Sequence, residues 1–153
     1  MTLKITKAKP NPLGRDRIGT FTPPIQLAGE WVDIQNTTAF SIALGTVQLY
    51  QWAYKPDGSG EWRLVISFSE SLPAWKTMRI HSGSPLLTTQ MNSVDVIGAD
   101  YHLFTNKNYI WNNRKPDYPR LWDTASRQWI DWTYYDAPVP NGKILIRVND
   151  KLT

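Results

Sequence analysis

The sequence predicts an all-β protein, a sandwich or barrel of short strands. Two observations carry this. Apolar residues alternate with polar ones in short runs, bounded at steady intervals by clusters of Gly, Pro, Asn, Asp and Ser. No window of helical length places apolar residues at i, i+3, i+4 and i+7. The 153-residue length, with no linker, repeat or low-complexity tract, argues for one domain over 1–153.

Residues 2–8, TLKITKA, alternate Leu3 and Ile5 with polar neighbours and read as a first strand. Pro10 to Pro24 holds four prolines and two glycines, the mark of a long ordered loop or arm. Strand and arm together make up residues 1–28. Gly29 to Leu49 reads as strand, turn, strand. Val32 and Ile34 alternate with Asp33 and Gln35, the period of a half-buried strand. Asn36, Thr37 and Thr38 bond readily to their own backbone and favour a turn. Ile42, Leu44, Val47 and Leu49 resume the apolar rhythm, with Gly45 breaking its phase as a bulge or bend would.

Val47 to Tyr54 leads through the turn cluster PDGSG (56–60) into EWRLVISF. There Trp62, Leu64, Ile66 and Phe68 are expected on one face, with Arg63 and Ser67 on the other. Pro73 ends the run. Thr77 to His81 reads as a short strand with Met78 and Ile80 inward, and 85–100 as loop with a turn of helix. Asp100 to Phe104 and Tyr109 to Trp111 read as strand pieces, and Asn112 to Pro119 as loop. Arg120 to Asp123 and Trp129 to Tyr135 form a hairpin across TASRQ. After Pro138 to Gly142, Lys143 to Val148 closes the sheet within 136–153, with Ile144, Ile146 and Val148 on one face.

Composition narrows the chemistry. Without cysteine there are no disulfides, thiolate metal sites or cysteine nucleophiles. No run approaches the ~18 apolar residues of a membrane span. The start lacks the apolar core of a secretory leader, which favours a cytoplasmic protein. Residues 1–17 hold five bases against one acid, which is the whole net charge of +4; the remainder holds twelve of each. The basic arm, with Arg15 and Arg17, is either a solvated edge or an anchor for phosphates and acidic surfaces.

Three motifs then align. They are EWVDIQN (30–36) followed by Ile42, Leu44 and Gly45; Arg79-Ile80-His81-Ser82-Gly83; and Ile110-Trp111-Asn112-Asn113 followed by Asp117, Leu121, Asp123 and Asp131. Their order and spacing resemble the lamin tail domain, the immunoglobulin-like module of nuclear lamins that also occurs in many bacterial proteins. The resemblance covers about residues 29–135. It implies an immunoglobulin-like antiparallel β-sandwich with Trp111 in the core and the Asn112 side chain bonding loop backbone. Trp31, Asn36, Gly83 and Asp117 would be further structural positions. Gly45-Thr46, Pro116-Asp117 and Ala74-Trp75 depart from the family pattern, all in loops. The resemblance also implies a non-catalytic recognition or scaffold module, acting through a protein partner, self-association or assembly, with no cofactor and no metal.

Residue chemistry agrees with a non-enzymatic reading. The nominal carboxylate pairs Asp95/Asp100, Asp117/Asp123 and Asp131/Asp136 all sit at turn-like positions, where Asp caps backbone. No nucleophile elbow surrounds Ser82 or Ser84. His81 reads as a surface side chain at a strand end and His102 as partly buried. The surplus is aromatic: ten of the 19 aromatic residues lie within 101–136. Trp129 and Tyr135 share one strand parity, Trp132 and Tyr134 the other, so part of the set should be exposed or covered by the arm or a partner. The candidate partner surface is therefore Trp122, Arg127, Trp129, Trp132 and Tyr134, with Arg15 and Arg17 in the arm. Carbohydrate on exposed tryptophans and nucleic acid on the basic arm are the alternatives to a protein partner.

Overall fold

The computed structural model describes residues 2–153 as an all-β sandwich. Its larger sheet contains β1 (Leu3–Lys9), β2 (Trp31–Asn36), β7 (Thr77–His81), β8 (Tyr101–Phe104), β11 (Leu145–Val148) and β12 (Lys151–Leu152). The smaller sheet contains β4 (Val47–Tyr54), β5 (Gly60–Ser67), β9 (Arg120–Asp123) and β10 (Gln128–Trp132). The spatial orders are β12-β11-β1-β2-β7-β8 and β10-β9-β4-β5. A short pair, β3 (Ile42–Ala43) with β6 (Ser71–Leu72), closes one end. Two short helices, α1 (Pro24–Ala28) and α2 (Ser93–Val96), lie outside the sheets. Among the described residues no helix is long and apolar enough to cross a membrane.

The core is the alternation of the two inner faces. Leu3, Ile5, Val32, Ile34 and Ile80 from the large sheet meet Val47, Leu49, Val65 and Leu121 from the small one. Trp111 joins them from the loop before β9. Asp131 links the layers: from β10 its Oδ2 accepts from Ile5 N (2.7 Å) in β1 and from Arg147 Nη1 (2.5 Å) in β11.

Several local expectations change. β2 is buried on both faces, not one, because the segment around α2 covers its second face, where Trp31 donates to Asp95 and Arg79 reaches Ile97 O. Asp33 is therefore inside, paired in register with Arg79 on β7. β8 runs parallel to β7, the one parallel pairing between named strands in an otherwise antiparallel architecture. His81 is fully buried: Nδ1 donates to Ala28 O (2.6 Å), Nε2 lies 2.8 Å from His102 Nδ1, and its ring stacks on Phe104. Residues 109–111 form no strand, because local backbone donors go to carboxylates: Ile110 N to Glu30 and Asn112 N to Asp117. β11 turns Leu145 and Arg147 inward and leaves Ile146 and Val148 exposed, since Arg147 is drawn to Asp131 and Ile5 O.

Two β-bulges decide which aromatics face out. The β4–β5 register shifts at Leu49/Tyr50, so Val65 turns into the core. Ile66 then faces Leu49, whereas Leu64 and Trp62 stand opposite Tyr50 and Trp52. Trp62 and Leu64 are thus on the outer face, not with Phe68. The β9–β10 register shifts between Trp129 and Asp131. That shift places Trp129 and Trp132 on one face despite their opposite parity and turns Asp131 inward. The strand ends at Trp132; Tyr134 and Tyr135 follow as single bridges to Lys151 and Asp117.

Candidate binding face on the four-stranded sheet

On β4 the inner positions Val47, Leu49, Gln51 and Ala53 are buried, while Gln48, Tyr50, Trp52 and Tyr54 face outward. Register carries this outer row across the sheet. Trp52 pairs with Trp62; Tyr50 lies between Leu64 and Arg120; Gln48 pairs with Trp122, which pairs with Trp129; Arg120 pairs with Trp132. The rings tile edge to face. Tyr50 and Trp129 lie 5.7 Å apart at 88°, Trp52 and Trp62 5.0 Å at 73°, and Trp122 and Trp129 4.9 Å at 70°. Such T-shaped pairs are individually favourable by ~0.5–1.5 kcal/mol beyond area burial, so the layer is rigid as well as apolar.

At one end the tiling leaves a groove of about 400 Å³ walled by Trp52, Tyr54, Trp62, Tyr118 and Arg120. Gly60 makes room for it: a Cβ there would sit 2.3 Å from Trp52 Nε1. The Arg120 guanidinium lies over Trp62 at 4.5 Å, with Trp132 and Trp129 at 5.5 and 5.6 Å. A second groove of about 610 Å³ shares the Tyr54 wall and is lined by Tyr109, Arg114 and Lys115. Lys115 Nζ sits 4.7 Å above the Tyr54 ring.

Beneath the grooves lies the buried Asp117. Its Oδ1 accepts from Trp52 N (2.9 Å) and Tyr118 N (2.8 Å), and its Oδ2 from Asn112 N (3.0 Å) and Asn112 Nδ2 (2.9 Å). Burial nevertheless pushes its carboxyl up to about 6. Asn112 also donates to Trp52 O (2.9 Å), so it bonds strand as well as loop.

Of the residues singled out in the sequence, Trp122, Trp129 and Trp132 lie on this face. Arg127 is exposed in the β9–β10 turn, and Tyr134 sits off the sheet beneath Lys151. Arg15 and Arg17 are exposed on the arm, which touches the second groove where Tyr109 Oη donates to Asp16 O (3.0 Å). Trp31 is buried and donates to Asp95 (2.9 Å). Asn36 is buried, donating to Phe40, Leu72 and Pro73 carbonyls and accepting from Thr38. Gly83, at φ 90°, lies against Leu27. The groove itself is built largely from residues the sequence reading left aside: Trp52, Tyr54, Trp62, Tyr118 and Arg120. Their signal was present in QLYQWAY, where every second residue from Tyr50 to Tyr54 is aromatic.

A second titratable cluster is closed to solvent. Glu30 is buried; its Oε1 accepts from Ser82 Oγ (2.5 Å) and Ile110 N (2.7 Å). Burial pushes its pKa from 4.5 to about 8. The unfolded chain loses this proton near 4.5 while the fold retains it, so the associated stability is complete below that pH and is lost as pH climbs through about 8. Glu30→Gln keeps an acceptor for both donors. Urea denaturation is expected to show the wild type losing stability between pH ~5 and ~8 relative to this variant. Parallel profiles would refute the assignment. His81, pushed down to about 4 by burial, acts in the opposite sense below 6.5, which is why the comparison is variant against wild type.

No protein-family model matches the chain, and no curated protein matches it.

Proposed function

We propose that this protein is a non-enzymatic binding module whose ligand, a saccharide chain, lies in the aromatic groove of the four-stranded sheet. The observation that carries this reading is the outer face itself. The solvated side of an antiparallel sheet is ordinarily polar, and here it is tiled with half-buried Trp and Tyr rings. A pyranose ring offers apolar C–H faces and a polar rim, which suits an apolar groove with a few polar groups. The carboxylates support a non-catalytic role because they are committed elsewhere. Asp117 and Asp123 cap backbone, Asp131 ties the sheets, and Asp95 is paired with Lys9 at 2.6 Å.

A second reading has its own observation. Leu13, Ile25 and Val94 line a cleft beside α1, and Leu13, Ile18 and Phe21 are largely exposed along the arm. Such an apolar surface suits a protein partner or a second copy. It is the assembly role that the likeness to lamin tail domains implies.

One pair of variants separates the two. Tryptophan fluorescence of the wild type is expected to shift on titration with a polysaccharide panel. Trp62→Ala should weaken that binding at least tenfold, about 1.4 kcal/mol, while Leu13→Asp leaves it intact. If no polysaccharide moves the wild-type signal, and Leu13→Asp instead abolishes self-association or partner capture, the assembly reading replaces the first.

A further inference from the structure

The arginines divide by environment. Three are not fully exposed: Arg79, Arg120 and Arg147. Arg79 is held by Asp33 and Arg147 by Asp131. Arg120, among the described residues, has no carboxylate partner, and its buried Nε has no hydrogen-bond partner at all. A guanidinium carries five N–H donors in a fixed fork. Only Nε is closed off; the terminal nitrogens, which no described residue engages, are left to donate to an anion entering the groove. The ring contacts account for the place of the guanidinium but satisfy none of its donors.

We infer that the groove takes an acidic saccharide, with a uronate carboxylate seated on the Arg120 guanidinium and the adjoining sugar residues passing Tyr54 toward Lys115 and Arg114. This rests on the saccharide reading above and specifies its ligand. Guanidinium and carboxylate match as a bidentate pair. Tyr54 lines both the groove of about 400 Å³ and the one of about 610 Å³, so a linear chain that passes this one side chain would reach both. The track is mainly basic, although Asp16 lies beside Tyr109 in the second groove. Arg114 and Lys115 are exposed along it. Of the acids nearby, Asp117 is buried beneath the floor, and Glu61 is engaged by Lys55 (3.7 Å) and Arg63 (3.5 Å). Single-stranded nucleic acid, whose phosphates would meet the same cations, is the competing outcome of the test.

The test is calorimetric titration of the full chain with uronic-acid oligosaccharides (galacturonate, mannuronate and hyaluronan series) and with the same oligosaccharides after reduction of their carboxyls to neutral alcohols. Binding of at least one acidic series is expected to exceed that of its reduced form by tenfold or more. Arg120→Gln should abolish the difference, and Arg120→Lys should restore only part of it, since an ammonium cannot form the fork. The Arg120 side chain makes no hydrogen bond among the described residues, so circular dichroism of Arg120→Gln should match the wild type. Equal affinity for acidic and reduced oligosaccharides would overturn the charge assignment and leave the saccharide reading standing. Binding to none of them would overturn both, as would binding confined to an oligothymidylate.

Discussion

Asp33→Ala is expected to destabilise the protein by roughly 3–5 kcal/mol, because it leaves a buried arginine without its counter-charge. Arg79 is buried in the larger sheet. Its Nε and Nη2 donate to the two Asp33 oxygens at 2.7 and 2.8 Å, and Nη1 donates to Ile97 O at 3.0 Å. The guanidinium carbon lies 3.5 Å from the centre of the Trp31 ring. Desolvation pushes the Asp33 carboxyl upward even with Arg79 against it, so burial outweighs pairing. The pair is then not a net source of stability, but half of it is costly. Replacing both partners, as Asp33→Leu with Arg79→Met, should recover most of what Asp33→Ala loses. Urea denaturation measures both. A loss under ~1 kcal/mol for Asp33→Ala, the scale of an exposed pair, would mean that water reaches the guanidinium and that this face is not closed.

Asp117→Ala is expected to cost about 3 kcal/mol or more and to dismantle the groove. Its carboxylate satisfies three backbone N–H groups, those of Trp52, Asn112 and Tyr118. Each buried donor left unpaired costs about 1–3 kcal/mol. The Trp52 and Tyr118 side chains wall the groove, so losing this anchor should loosen both walls together. Saccharide affinity should fall at temperatures where the variant is still folded by circular dichroism. Asp117→Asn retains one acceptor oxygen and should lose less. An Asp117→Ala variant with unchanged melting and unchanged affinity would show that the loop and β4 hold their places without this carboxylate.

The turn at Asn36 was legible because it is local: the side chain accepts from Thr38 N two residues on. The aromatic face was half legible. The aromatic surplus after residue 100 pointed to β9 and β10, and those strands do supply Trp122, Trp129 and Arg120. The other half comes from β4 and β5, whose Trp52 and Trp62 meet the later aromatics only because β4 pairs with β9. That pairing joins segments some seventy residues apart and has no local signature. His81 and Asp33 were misplaced for a related reason. Alternation marks two faces of a strand, but whether the second is wet depends on what covers it.

The sequence by itself determined the all-β character, the short strands and the prolyl arm, because period-two alternation and turn-forming residues act over a few positions. Tertiary structure decided the faces. Bulges in β5 and β10 reverse parity in mid-strand, so Trp62, Leu64 and Trp132 point away from the sides that simple alternation assigns. Each bulge lies in a hairpin of consecutive strands, and alternation of residue types alone does not mark it. The long-range pairing of β4 with β9 gathers rings from four strands around an arginine that has no carboxylate partner among the described residues.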